Sequence, residues 1–155
     1  MIGPGQGAKA SDVADGERAG RRLAEAGVIV VTGGLGGVMA AAAHGARQVG
    51  GVSVGLLPGA DRATGDPAHT VLLPTGLGEL RNGLVVRAAD VVLAIGGSWG
   101  TLSELALAVR AGTPVVAVRG WELPAEGVRH LDAIDDAVSA VLALLEGAAD
   151  RPPGR

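Results

Sequence analysis

At 155 residues, 48% of them hydrophobic, the chain has the size of one domain with a substantial core, which excludes global disorder. Thirteen basic against 16 acidic residues leave a net charge of −3, which argues against a dedicated nucleic-acid binder with its basic face. Cysteine is absent, which excludes disulfides, thiolate catalysis and cysteine-held metals, and a single lysine, Lys9 in a polar leader, argues against a pyridoxal phosphate Schiff base.

Met1-Ile2 runs directly into Gly3-Pro4-Gly5, which reads as the loop after a first strand. Almost no strand precedes that loop, so the expectation is a native start upstream and a first strand that is missing. Val13–Ala26 then carries an amphipathic helical pattern with Val13, Ala19, Leu23 and Ala26 near one face. Val28–Val31 is a short β-branched strand, and Val38–Val49 an Ala-rich helix with His44 at its rim. Val52–Leu57 and Thr70–Leu73 are two further strands, separated by a polar loop holding Asp61, Arg62 and Asp66. Glu79–Ala89 reads as a helix, Val91–Ile95 as a strand, Thr101–Ala111 as a helix, Val115–Val118 as a strand and Asp132–Glu146 as the last helix. Uninterrupted apolar strands alternating with helices predict a Rossmann-like α/β domain, a parallel sheet flanked by helices, over residues 1–147. Residues 148–155 read as a flexible tail. Glycine is 27 of the residues, Phe and Tyr are absent, and the only aromatics are Trp99 and Trp121. The core is therefore expected to be Ala, Val and Leu with backbones in close approach. No apolar run approaches the ~18 residues of a membrane span, and no signal pattern opens the chain, so a soluble cytoplasmic protein is expected.

Two glycine clusters each join a strand to a helix. The first is Thr32-Gly33-Gly34-Leu35-Gly36-Gly37; residues without Cβ at a helix N-terminus let a phosphate approach the backbone, although a tight turn needs the same residues. It is not the dinucleotide fingerprint, since Gly34-Leu35-Gly36-Gly37-Val38-Met39 ends in Met, nor a Walker loop, since no lysine follows. An NAD-dependent oxidoreductase is correspondingly disfavoured. The second is Gly96-Gly97-Ser98-Trp99-Gly100-Thr101-Leu102-Ser103-Glu104. Two such entries at the carboxyl ends of strands converge on one crevice, the usual place for a nucleotide or sugar phosphate. Thr101 and Glu104 also have the spacing of a capping box, with Thr101 at the N-cap, which would make both structural. Between the clusters, Arg81 and Asn82 open a helix, where a guanidinium can pair with a phosphate or with Glu104. Trp99 lies in a glycine loop with little local packing, placed to stack on a flat ring or to plug the core, and Trp121 reads as packing. His44, His69 and His130 are scattered and suit no metal site.

These clusters resemble the Lonely guy (LOG) superfamily, whose members were long labelled lysine decarboxylase-like. Its PGGxGTxxE pattern is met by Gly97, Gly100, Thr101 and Glu104, while Gly96 replaces the proline and Ser98 the second glycine. Asn82 stands where the family's Arg-Lys pair has lysine. GLGELRN, GGSWGTLSE and IGPG are closer to the branch that resembles the molybdenum cofactor carrier protein. The superfamily resemblance implies cleavage of the N-glycosidic bond of a nucleoside 5′-monophosphate, releasing base and ribose 5-phosphate. Gly100 and Thr101 would then hold the phosphate, Glu104 would face the developing oxocarbenium charge, and Arg81 would set the geometry. The carrier branch implies a protein that holds molybdenum cofactor, a pterin with a phosphate, without turning it over. Arg81 and Glu104 are thus the candidate catalytic pair. Gly33, Gly34, Gly36, Gly37, Asn82, Gly97, Ser98, Trp99, Gly100 and Thr101 are the candidate ligand-binding residues. The resemblance also implies a homodimer or larger homo-oligomer; no covalently bound cofactor is expected, and the charge balance and the lack of a long apolar run predict neither nucleic acid nor membrane as partner.

Overall fold

The computed structural model describes residues 1–123 and 127–149. Among the described residues, five helices and six strands follow in order: α1 Ala10–Glu25, β1 Val30–Thr32, α2 Val38–Gln48, β2 Ser53–Leu57, β3 Val71–Pro74, α3 Asn82–Arg87, β4 Val92–Ile95, α4 Trp99–Ala111, β5 Val115–Val118, β6 Val128–Leu131 and α5 Ile134–Ala149. Short 3₁₀ turns at Arg62–Thr64 and Gly78–Arg81 precede β3 and α3. All strand pairs are parallel, in two three-stranded sheets ordered β1-β2-β3 and β4-β5-β6. The predicted α/β architecture is therefore the one observed.

Met1-Ile2 lies between the two sheets. The Ile2 amide donates to the Leu93 carbonyl at 2.9 Å, the Ile95 amide donates to Ile2 at 3.0 Å, and the Met1 nitrogen donates to Val31 at 2.6 Å. Chain connections run from this pair to β1 on one side and, after β3, cross to β4 on the other. That reversal is the topological switch at which open α/β sheets bind ligands, outside the carboxyl ends of the strands.

Strands β4 and β5 are buried at every position, as their unbroken apolar sequences require. One core cluster holds α1, α2 and α5 against the sheet through Leu23, Val38, Leu93, Val116 and Val138; the other holds α3 and α4 through Val85, Val86, Leu105 and Ala117. Small residues set the α1–α2 spacing. A Cβ on Gly20 would collide with the Ala42 carbonyl, and one on Gly45 with the Glu17 carbonyl.

Several boundaries differ from the sequence expectation. Val128–Leu131 forms a sixth strand that the periodicity missed, because it is a sheet edge whose Arg129 and His130 are exposed. The helix expected from Glu79 begins at Asn82, after a 3₁₀ turn. Helix α5 continues to Ala149, and residues 150–155 of the expected tail lie outside the described residues. Among the described residues, no helix is long and apolar enough to cross a membrane.

Candidate functional site

A cavity of about 310 Å³ opens at the switch point. Gly3, Gly5 and Gln6 form one wall, Leu35 and Met39 a second, and Arg81, Asn82, Ser98, Gly100, Thr101 and Glu104 the third, with Glu79 at the rim. Sequence reasoning named the third wall. It missed Gln6, Leu35, Met39 and Glu79, of which the Gly3–Gly5 loop carried the available signal, since a loop after a central strand faces the crevice.

Helix α4 begins at Trp99, and its N-cap is Ser98, whose hydroxyl accepts from the Thr101 amide at 3.2 Å. Thr101 and Glu104 are therefore not a capping box. Thr101 is the third residue of the helix, with its hydroxyl 3.0 Å from that of Ser98. Glu104 lies one turn further on and is free of any capping role. The first-turn amides of α4 supply the positive end of a 13-residue helix to the cavity.

Arg81 is 7% exposed. Its guanidinium lies on Gly33, where a Cβ would come within 2.5 Å of Nη2. Nη1 donates to the Asn82 side-chain Oδ1 at 2.9 Å and stands 3.6 Å from Glu104 Oε1. Its buried Nε has no hydrogen-bond partner among the described residues. Asn82 in turn donates to the Ser103 hydroxyl at 3.2 Å, tying α3 to α4. Burial pushes the Glu104 carboxyl up to about 7 against the opposing pull of Arg81, and burial also lowers the Arg81 guanidinium. Burial thus works against ionisation of the carboxyl that stands beside the arginine.

The first glycine cluster meets other protein groups. Gly34 backs onto Leu57 and Gly55, Gly37 onto the Pro4-Gly5 backbone, and the Val38 amide that opens α2 donates to Pro4 at 3.0 Å. Gly36 faces open space. A buried relay holds this turn. His69 Nδ1 lies 3.1 Å from the Asp66 carbonyl, which can only accept, so Nδ1 carries the proton. Nε2 then accepts from the Thr32 hydroxyl at 2.7 Å, and that oxygen accepts from the Gly34 amide at 3.0 Å. Sequence reasoning gave His69 no role; the relay is tertiary and leaves no local signature.

Trp99 is 77% exposed and packs on Trp121, ring centroids 5.1 Å apart and tilted by 40°. Trp121 Nε1 donates to the Ser98 carbonyl at 3.1 Å, which pins the second glycine loop from behind. Gly97 lies against Trp121 and lines a second cavity.

The model of the SLOG cluster4 family matches residues 1–143. The chain belongs to that family. An uncharacterized protein of Archaeoglobus fulgidus is 36% identical over 122 residues, 79% of this chain and 80% of that one. The molybdenum cofactor binding protein of the phototrophic bacterium Rippkaea orientalis superposes with a TM-score of 0.86 at 30% identity, over 92% of this chain and 93% of the other. The Moco carrier protein of Chlamydomonas reinhardtii does so with a TM-score of 0.85 at 33% identity, over 94% and 95%. The SLOG cluster4 chain thus shares its fold with proteins described as binding or carrying molybdenum cofactor. This agrees with the sequence resemblance at the level of a SLOG-type fold.

Proposed function

We propose that this SLOG cluster4 protein binds a phosphorylated, ring-bearing small molecule of the molybdenum cofactor kind and holds it without turnover. The observation that carries the reading is the buried, partner-poor Arg81 facing a cavity at the N-terminus of α4. A buried guanidinium donor without an acceptor costs free energy unless an anion supplies one. We assign phosphate contact to Arg81, Ser98, Gly100 and Thr101, with Asn82 orienting the guanidinium. Gly33 supports the arginine, and Gly34, Gly36 and Gly37 shape the adjoining turn. Gly97 and Trp99 form the ridge beside the cavity. The solved relatives described as molybdenum cofactor binding or carrier proteins support this ligand class.

A second reading, a nucleoside 5′-monophosphate phosphoribohydrolase, is favoured by one specific feature. Glu104, with its carboxyl near 7, could donate or accept a proton at neutral pH beside the positive charge of a departing sugar. The deciding experiment incubates the purified protein with nucleoside 5′-monophosphates, N6-prenylated AMP among them, and follows free base by liquid chromatography. In parallel, released molybdenum cofactor is offered, and its retention on the protein is followed through the fluorescent oxidised pterin. Retention without base release is expected. Base release that disappears in Glu104→Gln would overturn the carrier reading.

A homo-oligomer is part of the same proposal. Leu80 in the 3₁₀ turn before α3, Leu84 on α3 and Leu107 on α4 are exposed at 80%, 42% and 38%. Contiguous apolar surface of this kind marks contact with another chain, and a second copy seated there would adjoin the rim at Glu79 and Asn82.

A further inference from the structure

The crevice has a second lobe that the phosphate site does not use. It is a cavity of about 300 Å³, within the range of ligand pockets, on the far side of the Gly96-Gly97-Ser98 loop. Adjacent residues separate the two: Ser98 lines the first lobe and Gly97 the second. Lys9, Asp12, Arg119, Trp121 and Glu122 bring charge and an aromatic surface to the second lobe.

Its wall is built rather than incidental. Gly96 has φ +66°, and a Cβ there would come within 2.5 Å of Asp12 Oδ2. Proline, fixed near φ −65°, cannot take this conformation. The replacement of the resembled motif's proline by Gly96 thus goes together with a carboxylate packed against the loop. Asp12 is 4% exposed, and Arg119 Nε and Nη2 both lie 3.4 Å from its Oδ1. Arg119 also pairs with Asp15, and among the described residues it is the one non-glycine with positive φ, at 49°.

Two carboxylates therefore hold the Arg119 charge, and the lobe is left with one cation, Lys9, and one anion, Glu122. Such a balance does not suit a second phosphate. It suits a neutral planar ring with hydrogen-bond donors and acceptors at its edge and a face to lay on indole. Adjacent ring N–H and amino donors match the two oxygens of a carboxylate, and a ring carbonyl matches an ammonium.

We propose that this lobe is a subsite for a 2-amino-4-oxopyrimidine ring, the unit shared by guanine and pterins. Glu122 accepts from the ring N–H and amino group, Lys9 donates to the oxo group, and Trp121 supplies the stacking surface. The inference deepens the phosphate-ligand reading and rests on it only in joining ring and phosphate in one molecule across the Gly97-Ser98 ridge.

The test is titration calorimetry of the full chain with ribose 5-phosphate, AMP, GMP, neopterin monophosphate and guanosine. Emission of Trp99 and Trp121, the chain's two tryptophans, is recorded alongside. GMP or neopterin monophosphate should bind at least tenfold more tightly than AMP and ribose 5-phosphate, and should quench the emission. The tighter of those two identifies the ring system. Glu122→Gln and Lys9→Ala, both remote from the first lobe, should each remove most of that advantage and leave ribose 5-phosphate binding unchanged. Equal affinity for all four phosphates, or an advantage that survives both substitutions, would overturn the subsite. Guanosine binding that depends on Glu122, without binding of any phosphate, would uphold the subsite and overturn the phosphate reading. Absence of all binding would overturn both.

Discussion

Replacing Glu104 by glutamine turns a buried ionisable group into a neutral one of nearly the same shape. A carboxyl moved from 4.5 in the unfolded chain to about 7 in the fold differs by roughly 3 kcal/mol, at about 1.4 kcal/mol per tenfold change in proton affinity. The sign follows from proton counting. Between those two values the folded protein binds the proton and the unfolded chain does not, so raising the pH favours unfolding. The contribution of Glu104 is fully present below about pH 4.5 and is lost as the pH rises through about 7. Urea unfolding of wild type and Glu104→Gln at pH 5 and pH 8 reads this group together with the titration coupled to it, that of the buried Met1 ammonium, which Glu104 pulls upward. The stability of wild type relative to the variant should fall by about 2.5 kcal/mol from the lower pH to the higher, which is of the order of 5–10 °C in Tm for a chain of this size. A difference that does not change with pH, or that grows in favour of wild type, would refute the reading of Glu104 as a carboxyl kept protonated by burial.

Four other substitutions probe other parts of the structure. Gly45→Ala drives a methyl into the Glu17 carbonyl and should cost more than about 2 kcal/mol in urea unfolding, whereas Gly36→Ala, facing open space, should cost less than about 1 kcal/mol. Ser98→Ala removes the N-cap of α4 and should lower stability by about 1 kcal/mol by thermal melting, while weakening binding of inorganic phosphate. Leu80→Asp places a charge on the exposed α3–α4 face and should shift light scattering from dimer or larger to monomer, with an unchanged circular dichroism spectrum.

The parallel α/β order was legible because each β-branched run is short and bounded by glycine or proline, as in Val92–Ile95 before Gly96. The edge strand Val128–Leu131 was not, because an edge exposes Arg129 and His130 and dilutes the apolar signal. In the second glycine cluster the T-x-x-E spacing pointed to Thr101 as the N-cap. Only the backbone shows that Ser98 takes the role and Thr101 turns inward. The sequence put Arg81, Asn82, Thr101 and Glu104 in one crevice, and the structure brings them there. Its other half is tertiary. The seat of the arginine on Gly33, the His69–Thr32 relay and the Asp12–Arg119 pair join residues 37 to 107 positions apart, beyond the reach of any local pattern.

The place where the two half-sheets meet has a mechanical consequence. Ile2 bridges Ala94 of β4 and the Met1 nitrogen donates to Val31 of β1, so this pair ties the halves together. The loop that leaves Ile2 walls the first lobe through Gly3 and Gly5 and the second through Pro4 and Gly7. The seam between the half-sheets therefore lies directly beneath the crevice. A molecule spanning the two lobes acts as a clasp across that seam, so occupancy and cohesion of the midline rise together. The Ile2 and Ile95 amides would be the first to register it, as slowed hydrogen exchange.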